Sequence, residues 1–108
     1  MPRWLPGVLT RLRALAVAGR VVLTDKARAE LDDLGLERQD FVEILGSISL
    51  RDAPARVRST PAGAWLYVFR PEAAGLRLYV KVAIRGDCVV ISCHEDRAEA
   101  PEEADGDE

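Results

Sequence analysis

Two pairs of polar residues are spaced so that a β-hairpin would bring them together. Tyr79 and Lys81 lie two residues apart, as do Ser92 and His94, and Gly86-Asp87 lies between the two pairs. Residues two apart in a strand project from the same face of a sheet. Glycine followed by aspartate is typical of a two-residue reversal. With that turn Tyr79 lies opposite His94, and the same register puts Lys81 opposite Ser92.

The apolar residues of the two segments support this register. In Leu76–Arg85 every even position is leucine, valine or isoleucine, so one face of that strand is predicted to be core. The register brings Val80 against Cys93 on this face. It also brings Val82 against Ile91. The polar cluster is therefore predicted on the opposite face, directed at solvent or a ligand, and a slip of one residue would break the match.

The polar side chains are of the types that acid–base cleavage of RNA needs. One group must take the 2′-hydroxyl proton, one must protonate the leaving 5′-oxygen, and cations must steady the phosphorane. Histidine exchanges a proton at neutral pH and tyrosine donates through its hydroxyl, so His94 and Tyr79 fit the proton transfers. Lys81 fits the cationic role, as do Arg77 on the same strand face and Arg70 on the preceding strand. A solvated strand face that binds no ligand is the alternative.

Helical periodicity precedes the strands and predicts what supports them. Apolar residues at three- and four-residue spacing indicate helices from Leu5 to Gly19, from Asp25 to Leu34 and from near Glu37, with a short strand at 20–23. Thr24 is a good N-cap for the second helix, and Gly35 is a good left-handed stop after it. The second and third helices are then expected to form a helical hairpin.

From Asp52 onward the apolar residues repeat with period two. Three turn signals divide this region into four strands, at 56–60, 64–70, 76–85 and 88–94. The predicted fold class is therefore α+β, with N-terminal helices packed on an antiparallel sheet of four or more strands. Because 108 residues fit one core, we expect a single domain over residues 1–96.

Charge divides this domain from the residues that follow it. Residues 95–108 carry eight acidic residues and one arginine, whereas residues 1–94 carry 10 acidic and 14 basic residues, a balance of +4. A basic body suits a phosphate-binding protein, although +4 spread over a surface would mean nothing by itself. The composition of residues 97–108 predicts a disordered acidic tail, which either solubilises the chain or shields the basic face from RNA.

Composition and residue spacing weigh against other classes of protein. The chain is 48% hydrophobic and 31% charged, its apolar stretch at 12–18 is interrupted by Arg13, and its N-terminus lacks a clear cleavage site. We therefore expect a cytoplasmic protein without a membrane anchor. Cys88 and Cys93 are five residues apart, which directs them to opposite faces of a strand and predicts free, buried thiols. With one histidine in the chain, neither a metal site nor a cofactor is predicted.

Several short motifs in this order resemble the MqsR family of type II toxins. They are Leu34-Gly35-Leu36 before an apolar helix, Trp65 ahead of Val68-Phe69-Arg70-Pro71, Leu78-Tyr79-Val80-Lys81 and Val90-Ile91-Ser92. The match in order and spacing runs from about Val21 to Asp96. The resemblance implies a RelE-like fold and metal-independent cleavage of mRNA. It also implies a cognate antitoxin with a DNA-binding domain, which silences the toxin in a hetero-oligomer.

The resemblance also implies roles for individual residues. Family members use a tyrosine and basic residues on the exposed sheet face, which correspond to Tyr79 and Lys81. The family's C-terminal catalytic lysine falls on His94, and its polar residue after the tryptophan falls on Leu66. Its basic residue on the first strand falls on Pro54, so the nearby arginines are the candidates there. The residues expected to bind RNA are Arg56, Arg58, Arg70, Arg77 and Ser92.

Two functions remain open at the level of the sequence. The first is a sequence-preferring mRNA endoribonuclease, in which His94 and Tyr79 share proton transfer while Lys81 and the arginines stabilise the phosphate. The second is a non-catalytic module of the same fold, whose polar face docks a partner protein or nucleic acid.

Overall fold

The computed structural model describes residues 1–59 and 63–96, so the predicted tail at 97–108 lies outside the described residues. Within that part of the chain, three helices and one face of a six-stranded sheet enclose a hydrophobic core. The helices are α1 (Leu5–Val17), α2 (Asp25–Asp33) and α3 (Arg38–Gly46), followed by a 3₁₀ turn at Leu50–Asp52. The strands are β1 (Val21–Leu23), β2 (Ala55–Arg58), β3 (Trp65–Phe69), β4 (Glu72–Ala73), β5 (Leu76–Arg85) and β6 (Asp87–Glu95). The predicted α+β architecture is confirmed.

The boundaries of α2 follow from its capping residues. The hydroxyl of Thr24 accepts a hydrogen bond from the backbone N–H of Ala27 at 3.1 Å, which caps the start of the helix. After the helix Gly35 takes a φ of 73°, and the N–H of Leu36 donates to the carbonyl of Leu31 at 3.2 Å. The predicted start and stop are confirmed, and together they turn the chain into α3.

The hydrophobic core lies on the helix side of the sheet. From α1 it takes Leu9 and Leu12, and from α3 it takes Phe41 and Leu45. The sheet contributes the even positions of β5, of which Leu78, Val80 and Val82 are fully buried. The predicted core face of that strand is therefore confirmed. Among the described residues, each helix is too short or too polar to cross a membrane.

The sheet has the strand order β1-β6-β5-β3-β2, with β4 paired to the start of β5. Its pairs are antiparallel except at one edge, where Val21–Leu23 runs parallel to Cys88–Val90. The sheet is therefore mixed. Its parallel strand, β1, lies between α1 and α2 in the chain and is separate from the consecutive strands β2 to β6. The two-residue β4 lies inside the segment predicted as a turn, since two residues carry no periodicity. At the other edge β2 ends at Arg58, and Thr60 of the predicted strand lies outside the described residues.

The hairpin of β5 and β6 has the predicted register at its open end. Tyr79 pairs with His94, and Val80 pairs with Cys93. Lys81 pairs with Ser92 on the same face as Tyr79. The strands therefore place all four predicted polar residues on the side of the sheet away from the helices.

Near the turn the predicted register is wrong. Val82 pairs with Val90 and not with Ile91, because a β-bulge interrupts the ladder just before it. At the turn Gly86 alone reverses the chain between paired neighbours, with a φ of 79°. The shorter turn shifts the register by one residue, and the bulge at Ile91 shifts it back. The two deviations cancel, so the polar end of the hairpin has the expected alignment.

Candidate functional site

Tyr79 and His94 form the centre of the site. Their rings are stacked, with centroids 5.0 Å apart and planes at 10° to each other. The imidazole Nδ1 lies 3.1 Å from the carbonyl oxygen of Glu95. Since a carbonyl oxygen only accepts, this contact favours the tautomer that carries its proton on Nδ1 and a lone pair on Nε2. A nitrogen lone pair is what a general base requires, and His94 is partly exposed.

A cation next to β3 lies against the same phenol ring. Arg70 follows β3, and its guanidinium carbon is 5.1 Å from the centroid of Tyr79. His94 and Arg70 therefore approach Tyr79 from the two strands that flank β5. Arg70 and Arg77 also converge on one carboxylate, with Nε atoms 3.3 and 3.4 Å from Oδ2 of Asp96. The structure thus brings two predicted RNA-binding arginines to the site, together with an acidic residue that the sequence assigned only to the acidic end.

Lys81 and Ser92 lie beside this pair, and a second lysine joins them. Lys81 sits in register between Val68 of β3 and Ser92 of β6. The hydroxyl of Ser92 accepts a hydrogen bond from Nζ of Lys26 at 3.3 Å. Sequence reasoning missed Lys26: capping by Thr24 places it in the first turn of α2, but no sequence signal indicated that α2 packs beside β6.

The predicted exposure of this face is wrong for three of its residues. Tyr79 is 3% exposed, and Lys81 and Ser92 are fully buried. They do not belong to the hydrophobic core, which lies on the other side of the sheet. Leu66 and Val68 are buried on the same face as Lys81, so this face carries a packed layer of its own. A period-two pattern indicates which face of a strand is apolar, but it does not reveal that the polar face is also covered.

Arg56 and Arg58 are not brought to this cluster. On β2, Arg56 pairs with Tyr67 of β3 and Arg58 pairs with Trp65 of β3. This pairing places both arginines on the helix side of the sheet. The guanidinium carbon of Arg56 lies 3.8 Å from the ring centroid of Trp65 and 5.3 Å from that of Trp4. The guanidinium of Arg58 lies over Trp65 at 4.0 Å. These two arginines therefore form a cation–π stack at the rim of the core, on the face opposite Tyr79.

Both cysteines are free thiols buried in the core, as predicted, but the prediction that they face opposite sides of the sheet is wrong, because the bulge at Ile91 returns Cys93 to the side of Cys88. Burial raises the pKa of Cys88 to about 12, and burial together with the nearby carboxylate of Glu30 raises the pKa of Cys93 to about 12. That carboxylate accepts a hydrogen bond from the backbone N–H of Cys93 at 2.8 Å. The thiols are therefore packing groups and not nucleophiles. In residues 1–59 and 63–96, no three His, Cys, Asp or Glu side chains are grouped to hold a metal ion.

The comparison with protein families extends over almost the whole described fold. Residues 7–95 match the family described as motility quorum-sensing regulator, toxin of MqsA. The chain belongs to the MqsR toxin family. The match begins within α1, which precedes the segment whose motifs resemble MqsR, and it ends at the last residue of β6. A comparison with curated proteins found no match.

MqsR membership makes the chain the toxin component of a toxin–antitoxin system. It also implies an antitoxin as the partner of this protein, since the family is described as the toxin of MqsA. The predicted family and the predicted RelE-like α+β fold are therefore confirmed.

Proposed function

We propose that this toxin is a metal-independent endoribonuclease that cleaves mRNA at the site formed by Tyr79 and His94. The stacked phenol and imidazole carry the proposal, because both groups can transfer protons and arginine and lysine side chains lie beside them. Acid–base cleavage of a phosphodiester needs this combination of proton-transfer groups and cations.

The reaction is an attack of the ribose 2′-oxygen on the adjacent phosphorus. Nε2 of His94 accepts the proton from the 2′-hydroxyl as the new oxygen–phosphorus bond forms. The bond from phosphorus to the 5′-oxygen breaks, and the hydroxyl of Tyr79 donates its proton to that oxygen. The products are a cyclic phosphate and a 5′-hydroxyl end, and a proton passing from the imidazolium to the phenolate restores the catalyst.

The cations of the site stabilise the charge that develops on the phosphorane. Arg70 lies against Tyr79, and Arg77 lies two residues before it on the same strand face, so both are near the reacting phosphate. Lys81 follows Arg77 and Tyr79 on the same face of β5 and is fully buried. It acts on the phosphorane by electrostatic attraction and not by direct contact. Ser92 accepts a hydrogen bond from Lys26 and so orients the ammonium group of that lysine on the β6 side.

The test is cleavage of an mRNA by the purified full chain in the presence of EDTA. We expect cleavage with 2′,3′-cyclic phosphate ends, and growth arrest when the chain is expressed in bacteria without an antitoxin. The His94→Ala variant should lose about 100-fold or more of the cleavage rate and relieve the arrest. Arg58→Ala is the matched control, because it removes a polar side chain from the opposite face. An intact chain that neither cleaves RNA nor arrests growth contradicts the proposal.

A binding module that docks RNA or protein without cutting is the second candidate. It is favoured by one observation, the 3% exposure of Tyr79, because a reacting hydroxyl must reach the substrate. RNA affinity measured together with cleavage separates the two functions. A chain that binds an oligonucleotide tightly but leaves it intact supports the binding module.

A further inference from the structure

We infer that Arg70 and Arg77 form a phosphate subsite and that Asp96 occupies it in cis, as a competitor of RNA. This inference rests on the proposed ribonuclease function and adds an internal inhibitor to it. The subsite takes a phosphate of the RNA chain, and the carboxylate of Asp96 stands in its place in the RNA-free protein.

The two arginines are arranged as a clamp around a single oxygen atom. Nε of Arg70 and Nε of Arg77 lie 3.3 and 3.4 Å from the same atom, Oδ2 of Asp96. A phosphate oxygen carries comparable charge and accepts from the same guanidinium donors. The clamp that holds the carboxylate is therefore also suited to hold a phosphate.

The position of the clamp relates it to the reacting groups. The guanidinium of Arg70 touches the face of Tyr79, and Arg77 precedes Tyr79 by two residues on the same strand face. Two residues of a strand span about 7 Å. An anion in the clamp therefore lies beside Tyr79, where the two arginines are proposed to stabilise the reacting phosphate.

The clamp opens into a depression large enough for a phosphate group. The depression has a volume of about 380 Å³ and is lined by Arg51, Asp52, Arg70, Glu72 and Arg77. The carboxylate of Asp52 accepts from the backbone N–H of Ser49 at 2.8 Å, so it serves the 3₁₀ turn. Glu72 of β4 is exposed at the rim, where it pairs with Arg77 of β5. Three arginines line the depression against these two acidic residues, and Asp96 adds a third carboxylate, so the arginines are in excess once Asp96 is displaced.

The backbone holds Asp96 at the clamp while leaving its side chain able to move. Its N–H donates to the carbonyl of Arg77 at 2.7 Å, which adds one rung beyond the end of β6. Rotation of the side chain alone withdraws the carboxylate without breaking this rung. The Arg77 side chain is 52% exposed, so its ion pair with Asp96 is weakened by water, whereas the Arg70 side chain is 18% exposed; an RNA phosphate must therefore replace the carboxylate at both arginines.

The test compares RNA affinity between full-length variants, with an uncleavable 2′-O-methyl oligonucleotide as the probe. Asp96→Asn should bind it about fivefold more tightly than the parent chain, because the competing charge is gone. Asp96→Glu keeps the charge and should bind within about twofold of the parent. In Asp96→Asn combined with Arg77→Ala the gain should disappear.

Two control variants separate local competition from a general loss of acidity. Glu95→Gln removes a neighbouring carboxylate from the end of β6, and Asp87→Asn breaks an exposed ion pair with Arg20 at 2.8 Å. Neither should tighten binding more than about twofold. Weaker binding by a folded Asp96→Asn chain, or a gain no larger than that of Glu95→Gln, overturns the inference and makes Asp96 a positioning residue.

The same measurements distinguish this inference from the proposed function. If the parent chain binds the probe, Asp96→Asn tightens binding, and an unmodified RNA stays intact, the ribonuclease proposal fails while the clamp stands. If the parent chain cleaves RNA and Asp96→Asn changes neither affinity nor rate, the clamp fails alone. Thermal unfolding of each variant identifies any loss that comes from misfolding, and Asp96→Glu then still reports whether charge at this position governs affinity.

Discussion

The phenol ring of Tyr79 and the imidazole of His94 are stacked, with their centroids 5.0 Å apart, and the two residues are directly paired on β5 and β6. In this stack each ring restricts the orientation of the other. A substitution at either position therefore tests two properties, the flat ring and the proton-transferring atom. The first two predictions separate these properties.

Replacing His94 by phenylalanine keeps an aromatic ring against Tyr79 and removes both nitrogens. We expect the cleavage rate to fall by about 100-fold or more, with thermal stability close to that of the parent chain. Single-turnover cleavage of an RNA oligonucleotide and a melting curve measure the two effects. Retention of more than a tenth of the parent rate would mean that the ring, and not its nitrogen, is what the site requires.

Replacing Tyr79 by phenylalanine removes the hydroxyl and preserves the contacts with His94 and Arg70. Cleavage should fall while the free energy of unfolding changes by about 1 kcal/mol or less. Tyr79→Ala should instead destabilise the fold by about 3 kcal/mol or more, because the ring is almost fully buried. Urea unfolding of the two variants distinguishes them, and equal destabilisation contradicts the assignment of the hydroxyl to chemistry.

Replacing Arg56 by methionine tests the separation of the two sheet faces. The guanidinium stacks on Trp65, so its loss should lower the free energy of unfolding by about 1 kcal/mol. Because this residue lies opposite the site, the cleavage rate should stay within about twofold of the parent rate. Arg77→Met is the matched variant on the Tyr79 face, and it should weaken RNA binding. An equal loss of cleavage in both variants would show that RNA contacts both faces.

The buried thiols predict a loss of stability in alkaline solution. Burial raises the pKa of Cys88 and of Cys93 from 9.0 to about 12, so both stay protonated in the folded chain while the unfolded chain ionises above pH 9. The free energy of unfolding should therefore be insensitive to these groups below pH 9. It should fall between pH 9 and 12, by up to about 1.4 kcal/mol per pH unit for each thiol.

Urea unfolding at several pH values measures this slope against a Cys88→Ala, Cys93→Ala double variant. The double variant retains the alkaline titration of the other residues, so the difference between the two slopes belongs to the thiols. Parallel curves for the parent and the double variant would contradict the assigned pKa values.

Local sequence signals were sufficient for the helices and for the polar end of the hairpin. Thr24 and Gly35 act within a few residues of themselves, so their effects follow from side-chain and backbone chemistry alone. The pairing of Tyr79 with His94 was predicted correctly although the turn was not. A one-residue reversal at Gly86 and a bulge at Ile91 offset each other, and neither leaves a mark in the alternation of apolar residues.

The features that depend on distant packing were beyond the sequence. The parallel pairing of β1 with β6 places α2 beside the site, and this is how Lys26 comes to reach Ser92. Asp96 belongs by composition to the acidic end of the chain, and its ion pairs with the arginines follow from the rung it adds to the ladder. The burial of Lys81 was likewise unpredictable, because it depends on the residues that pack on the face of the sheet away from the helices.

The hydrogen bond between Glu30 and the backbone of Cys93 makes α2 a support for the part of β6 that carries His94. β1 ends at Leu23, and past that point the helix supplies the acceptor that a neighbouring strand would have offered to β6. Cys93 immediately precedes His94, so the position of α2 influences the position of the imidazole ring. We therefore expect a ligand that displaces α2 to shift His94 and to weaken the proposed cleavage without binding at the site itself.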